Sequence, residues 1–369
     1  MTDTSYHHCI HLDAFRHTEI LDGFVISPDA LEEGQVMVKV DKVALTSNSV
    51  SYVIGSQQGL MPWLEAFPAP EGLGHIPCWG FGDVLYSRHP DVPEGERLYG
   101  FFPIASHVVL TPGKTHDRGF TDSAAHRQGL AAFYNEYSYI RKEAGYAAEF
   151  EDVMMLFRPL FGTSYLLESY CEDHGFFDAA DRILISSASS KTAMGFGYLL
   201  RKNHAGRVRA IGLTSTRNKD FVVGLDCYDE ILTYDALDNL EANAPSVFFD
   251  IAGNRDVQSG VHRQLGDTLV YSGQVGQTHW DDKDKTAAEA LPGPSPVFWS
   301  GPDQVMLMRE RHGEKGFMKL VQASMIEFML AAFNWIKMLP SEGPEALDAR
   351  VKSMLEGEIK ADEGVILKP

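Results

Sequence analysis

Ser187, Ser189, Ser190, Lys191 and Thr192 crowd four hydroxyls and an ammonium into one turn, after the apolar run Arg182-Ile183-Leu184-Ile185 and before a helical stretch. A strand, a loop of tiny residues and a helix N-terminus form a docking place for an anion. Unpaired N–H groups and the helix dipole point at it, and a dinucleotide pyrophosphate is its common guest. Ser, Lys or Ala replaces every glycine of the usual GxGxxG pattern. Serine keeps the bulk small and adds hydroxyl donors, and Lys191 adds positive charge. The competing reading is an ordinary strand–helix turn with a serine N-cap. Ser190-Lys191-Thr192 ends like a P-loop, but the glycines of GxxxxGK[ST] are missing, and no GxSxG elbow occurs. Kinase, ATPase and elbow-serine chemistry are therefore set aside.

The next apolar run, Val208 to Thr214, ends in Thr214, Ser215, Thr216, Arg217, Asn218 and Lys219. A site for the ribose 2′-hydroxyl of NAD would place a carboxylate here. Hydroxyls and two cations suit a 2′-phosphate instead, through charge-assisted hydrogen bonds. The sequence thus favours NADP as cofactor. A charged, solvated turn is the alternative.

These loops need a parallel, doubly wound sheet to carry them. From about Ala180, apolar runs at Arg182–Ser187, Val208–Thr214, Asp229–Thr233, Val247–Ile251, Thr268–Ser272 and Pro296–Trp299 follow one another, the first four spaced by helix-length segments. A long helix is predicted over about Glu314 to Met338, and the tail from Gly357 to Leu367 reads as a final strand pair. From His7 to Pro112 the texture is all-β, with Val36, Val38 and Val40 on one face and Gly and Pro at short intervals. Thr121 to Gly145 reads as helix and loop. At 369 residues the chain has room for about two domains.

The net charge of −19 works against phosphate backbones and anionic lipid, so neither nucleic acid nor membrane is an expected partner. No apolar stretch reaches the ~18 residues of a span, and Met1 to Leu12 lacks the pattern of a signal peptide. Cys9, Cys78, Cys171 and Cys227 are too scattered for a zinc knuckle or a CxxC pair and read as reduced, intracellular thiols. His7, His8, Cys9 and His11 read as a polar arm leading into the first strand, and no metal site is expected. The expected compartment is cytoplasmic.

Several stretches, in order, resemble the medium-chain dehydrogenase/reductases, especially the zinc-independent quinone and enoyl reductases. Pro159-Leu160-Phe161-Gly162-Thr163-Ser164-Tyr165 is similar to the family's "LTAY" helix, and Gly224 to Tyr234 to its "GADEVIDY" segment. Phe249 to Asn254, Gly266 to Gly276, the opening Gly34 to Asn48 and Gly95-Glu96-Arg97-Leu98-Tyr99-Gly100 also match. Within the family the chain resembles a branch carrying the loop SASSKTA. Gly113 to Ala148 has no clear counterpart. The resemblance implies an α/β fold, with a GroES-like β-barrel catalytic domain over 1–158, rejoined by 340–369, and a Rossmann NADP-binding domain over 159–339. It implies a cofactor groove lined by Thr163, Ser187, Ser189, Ser190, Lys191, Thr192, Thr214, Ser215, Arg217, Asn218, Asp250, Ala252, Gly253, Ser272, Gly276 and Phe298. The zinc-ligand cysteine of metal-dependent relatives is absent from Ala44-Leu45-Thr46-Ser47-Asn48, and so is the four-cysteine lobe.

The resemblance further implies hydride transfer to a small quinone, enone or other carbonyl substrate, which needs a hydrogen-bond donor in place of zinc. Tyr52, with Asn48 as partner, is the first candidate, followed by Tyr134 and Tyr139. An aromatic on a strand face is the equal alternative for Tyr52. The rival function is an NADPH-binding sensor or structural protein without turnover. The family's habit of pairing its last Rossmann strand with a twin implies a homodimer through Pro296–Trp299.

Overall fold

The structure is a computed structural model describing residues 3–276 and 291–369. It opens with β1 (Thr4–His11), β2 (Thr18–Val25), β3 (Val36–Leu45), α1 (Ser47–Gln57), β4 (Leu73–Gly74), β5 (Pro77–Ser87), β6 (Arg97–Pro103) and β7 (His107–Leu110). Then come β8 (Pro112–His116), β9 (Gly119–Asp122), β10 (Glu136–Tyr139), α2 (Glu151–Asp173) and α3 (Phe176–Ala179). Alternation follows: β11 (Arg182–Ile185), α4 (Lys191–His204), β12 (Arg209–Thr214), α5 (Lys219–Gly224), β13 (Glu230–Thr233), β14 (Ser246–Asp250), α6 (Arg255–Leu265), β15 (Leu269–Gln274) and β16 (Val297–Phe298). The chain closes with α7 (Gly301–Ala332), β17 (Lys337–Glu342), α8 (Pro344–Leu355) and β18 (Glu363–Lys368). Two compact units result, one of residues 1–156 with 336–369, the other of residues 157–335.

In the first unit one sheet runs β17-β18-β3-β5-β6-β10-β9-β8 with β7 also beside β3, and another runs β2-β1-β4. The alternating valines Val36, Val38 and Val40 are fully buried and join Phe101, Phe102 and Phe120 in the core. A buried guanidinium ties the barrel to the first turn of α2. Arg97 donates to Glu151 at 2.6 and 2.7 Å, to Asp83 at 2.7 Å and to Asp41 at 2.7 Å. Such a buried ion is tolerable because its donors are met by carboxylates.

Four sequence expectations need correction. The His-rich start is no free arm but strand β1, paired with β2 and β4. The all-β texture is interrupted by α1, which starts after extended Thr46, whose amide donates to the Ser49 hydroxyl at 3.3 Å. The stretch read as helix and loop supplies β9 and β10, and the signal was there. Tyr137 and Tyr139 are buried while Glu136 and Ser138, which alternate with them, are not, a period of two. The long helix begins at Gly301, is interrupted at Gly313 (φ 66°) and ends at Ala332, and Lys337 and Met338 open a parallel strand beside β18.

In the second unit a parallel sheet runs β13-β12-β11-β14-β15-β16. Every residue of β11 and β14 is buried, which explains their unbroken apolar runs. The order reverses between β11 and β14, and such a switch point is where ligands of doubly wound sheets bind. Helix α4 lies close to α2 because Gly195 has no side chain. A Cβ there would meet the Ser164 hydroxyl at 2.5 Å.

Candidate functional site

The carboxyl ends of β11 and β14 are joined by Ser186 and Asp250. The Ser186 hydroxyl donates to Asp250 Oδ1 at 2.7 Å and accepts from the Ile251 amide at 2.9 Å. The same carboxylate oxygen accepts from the Ala252 and Gly253 amides at 3.3 and 3.1 Å. Asp250 Oδ1 is thus engaged in shaping the switch point, while Oδ2 is buried without a hydrogen-bond partner among the described residues. Burial raises its carboxyl pKa, against the opposing pull of those donors.

Beyond Ser186 the chain turns sharply. Ser187 takes a left-handed backbone (φ 50°), where glycine would sit without strain. Two tyrosines not singled out by sequence hold the turn. Ser187 N–H donates to the Tyr234 hydroxyl at 2.9 Å, and the Tyr228 hydroxyl donates to the Ala188 carbonyl at 2.9 Å. Asn218 donates to the Ser189 hydroxyl at 3.0 Å, bringing the end of β12 to the loop. Ser190 caps α4, its oxygen accepting from the Ala193 amide at 3.3 Å. The N–H groups of Ser189, Lys191 and Thr192 meet no acceptor among the described residues. Lys191 keeps part of its surface, yet its ammonium is desolvated, lacks an ion-pair partner among the described residues, and is pushed down to about 8. Uncommitted amides at the positive end of a 14-residue helix, beside an uncommitted cation, can hold phosphate.

The other candidates lie around this centre to different degrees. Thr163 stands on α2 next to Ser164, whose hydroxyl donates to the Thr192 carbonyl at 2.8 Å. Thr214 is buried at the end of β12, Ser215 follows it half-buried, and Arg217 is exposed. The sequence found no acid at this strand end, but the fold brings one. Asp235 accepts from the Thr216 hydroxyl at 3.1 Å and feels the charge of Lys219. Ser272 pairs with β14 through Phe248, and its hydroxyl meets buried His262 at 2.8 Å. Gly276 is sterically required, since a Cβ would stand 2.3 Å from the Ile251 carbonyl. Phe298 is not gathered in. It lies on the outermost strand and is 65% exposed.

The first unit holds the other candidates. Asn48 and Tyr52 lie one turn apart on α1, and Asn48 Nδ2 donates to the Tyr52 hydroxyl at 2.6 Å. The indole N–H of Trp79, absent from the sequence candidates, donates to the same oxygen at 3.2 Å. Tyr52 packs edge-on against Phe101 and Tyr134. Burial pushes both phenols up, so both keep their protons. A phenol that accepts two N–H bonds keeps its own proton free to donate, and such bonds polarise one another. Tyr139 is buried apart from them, against Phe120 and Lys142.

Compared by sequence, the chain matches no curated protein. Solved structures resemble it over its length. CurA from Vibrio vulnificus in complex with NADPH is 11% identical, with a TM-score of 0.58 over 98% of each chain. The yhdH oxidoreductase from Salmonella enterica in complex with NADP is 12% identical, with a TM-score of 0.52 over 99% of each chain. The mitochondrial 2-enoyl thioester reductase heterodimer from Candida tropicalis gives 11%, 0.56 and 100% of each chain. These likenesses give the fold, a GroES-like barrel with a doubly wound Rossmann sheet. Among the described residues no helix is long and apolar enough to cross a membrane. Residues 43–360 match the family described as "Protein of unknown function (DUF2855)", and by the extent of that match the chain belongs to it.

Proposed function

We propose that the protein is an NADPH-dependent oxidoreductase, zinc-free in its catalytic site, that reduces a quinone, enone or other small carbonyl compound. The observation that carries this reading is the loop after β11, where the amides of Ser189, Lys191 and Thr192 and the Lys191 ammonium stand uncommitted at a helix N-terminus. Its chemistry fits a pyrophosphate. Arg217 and Lys219 at the end of β12 supply two cations for a 2′-phosphate. Resemblance to proteins solved with NADPH and NADP supports the same reading.

When bound, the reduced nicotinamide supplies a hydride. The second unit is then the NADP-binding domain and the first the catalytic one. Ser187 to Thr192 hold the phosphates, with Thr163, Thr214, Ser215, Asn218, Ala252, Gly253, Ser272 and Gly276 around them. Tyr52 donates its proton to the oxygen that gains charge. Asn48 and Trp79 hold the Tyr52 oxygen and stabilise it as the proton leaves. The protein acts as a homodimer in the cytoplasm.

Burial of Tyr52 and Tyr134 favours a second reading, an NADPH-binding protein without turnover. Two measurements decide: NADPH fluorescence on mixing, and quinone- or enone-dependent NADPH oxidation. Binding with oxidation supports the reductase, and binding without oxidation across both substrate classes supports the second reading. No binding refutes both.

A further inference from the structure

We propose that His7, Cys9 and His75 form a binding site for a divalent ion of the zinc type in the first unit, separate from the candidate catalytic residues. Their ligating atoms all lie within 4.8 Å of one another, and the two imidazole rings are 5.2 Å apart. Two nitrogens and a sulfur are the donor set of a borderline cation and suit neither calcium nor magnesium.

The sheet explains why these three meet. His7 and Cys9 are two apart on β1 and project from the same face, whereas His8 projects from the other and is taken up by Asp348 at 3.0 Å. Strand β4 pairs with β1 through Ile10 and Gly74, so the next step of that register sets His75 opposite Cys9. The sequence could not show this, because it set the His-rich start apart as an arm and His75 is remote along the chain.

The tautomer of His75 supplies the second argument. Its Nε2 lies 3.1 Å from the Pro68 carbonyl, which can only accept, so the ring hydrogen belongs on Nε2. The backbone of His8 is also near the ring, but a neutral imidazole donates once. Nδ1 is then a bare lone pair, buried and without a hydrogen-bond partner. A metal-bound histidine is commonly arranged this way, its other N–H fixed by a backbone carbonyl. Glu19 lies across from Cys9 and adds negative charge nearby, while its carboxylate holds His11 at 2.6 Å.

Zinc sits about 2.0–2.3 Å from such ligands, so the donors must draw together to roughly 3.5 Å. His7 is half-buried, whereas Cys9 and His75 are fully buried. Binding replaces the Cys9 S–H bond with a sulfur–metal bond and releases one proton per ion to solvent. A water completes the coordination. The site fastens β1 to the segment after β4.

The test uses the untagged full chain, stripped by chelator and titrated with cobalt(II) chloride. Expected are one cobalt per chain, a thiolate-to-cobalt charge-transfer absorption, release of one proton, and displacement by zinc chloride. Cys9→Ser abolishes the absorption, and His7→Ala weakens cobalt affinity at least ~10-fold while the metal-free fold is unchanged by circular dichroism. No charge-transfer band in the natural protein overturns the proposal, and so does a band that survives Cys9→Ser. If Cys9→Ser does not fold, His7→Ala decides, and unaltered affinity there overturns it. None of these readouts involves NADPH, so the outcome is independent of the proposed reductase activity.

Discussion

Asn48 Nδ2 and Trp79 Nε1 converge on one oxygen, the Tyr52 hydroxyl, from 2.6 and 3.2 Å. Removing that oxygen therefore has two effects. Tyr52→Phe should lower turnover ~10² to 10³-fold, as for loss of one preorganised donor, and leave NADPH affinity unchanged. It should also cost about 1–3 kcal/mol of stability, because two N–H donors lose their acceptor. Steady-state kinetics beside cofactor titration and thermal melts measure both. Full turnover in Tyr52→Phe would show that the tyrosine is structural.

Preference for NADPH over NADH should be at least ~10-fold, or about 1.4 kcal/mol. Arg217→Ala with Lys219→Ala should erase it. Asp235→Asn should sharpen it, since the carboxylate at the Thr216 hydroxyl is removed. Fluorescence titrations with both cofactors test this, and equal affinities in the natural protein refute it.

Burial lowers the Lys191 ammonium to about 8, so it is charged below that pH and neutral above it. Only the charged form attracts phosphate. NADPH affinity should fall by about tenfold as pH rises from 7 to 9, and binding near pH 8 should take up protons. In Lys191→Met the affinity should be weaker and level across this range. An unchanged pH profile in that variant would remove Lys191 from the site.

Strand β16 lies at the sheet edge with Val297 49% and Phe298 65% exposed. Pairing with a twin across a two-fold axis would cover both. Light scattering at micromolar concentration should give twice the 41.0 kDa chain mass, and Phe298→Asp should give the single mass. A monomeric natural protein refutes the dimer.

The parallel sheet was legible because strands buried on both faces, such as β11 and β14, leave unbroken apolar runs. The phosphate loop was legible because its small residues are contiguous. What stayed hidden depends on contacts between distant residues. Tyr228 and Tyr234 reach the loop from just before and just after β13, and Asp235 arrives at Thr216 from the same end as Tyr234. Tyr52 read equally well as a strand residue, because α1 has little apolar periodicity and is fixed by what packs around it. Asp250 looked like a cofactor ligand by position, and only the fold shows that its Oδ1 bonds to Ser186 and to its own loop while Oδ2 has no partner among the described residues.

Strand β18 pairs antiparallel with β3, and Asp348 on α8 receives hydrogen bonds from His8 and Thr18. The two ends of the chain thus belong to one unit, and residues 157–335 are an insertion within it. During synthesis, β3 leaves the ribosome long before its partner exists, while the inserted sheet is already whole. The inserted unit can therefore finish folding first, with the barrel's open edge waiting as an aggregation hazard until the last strand emerges.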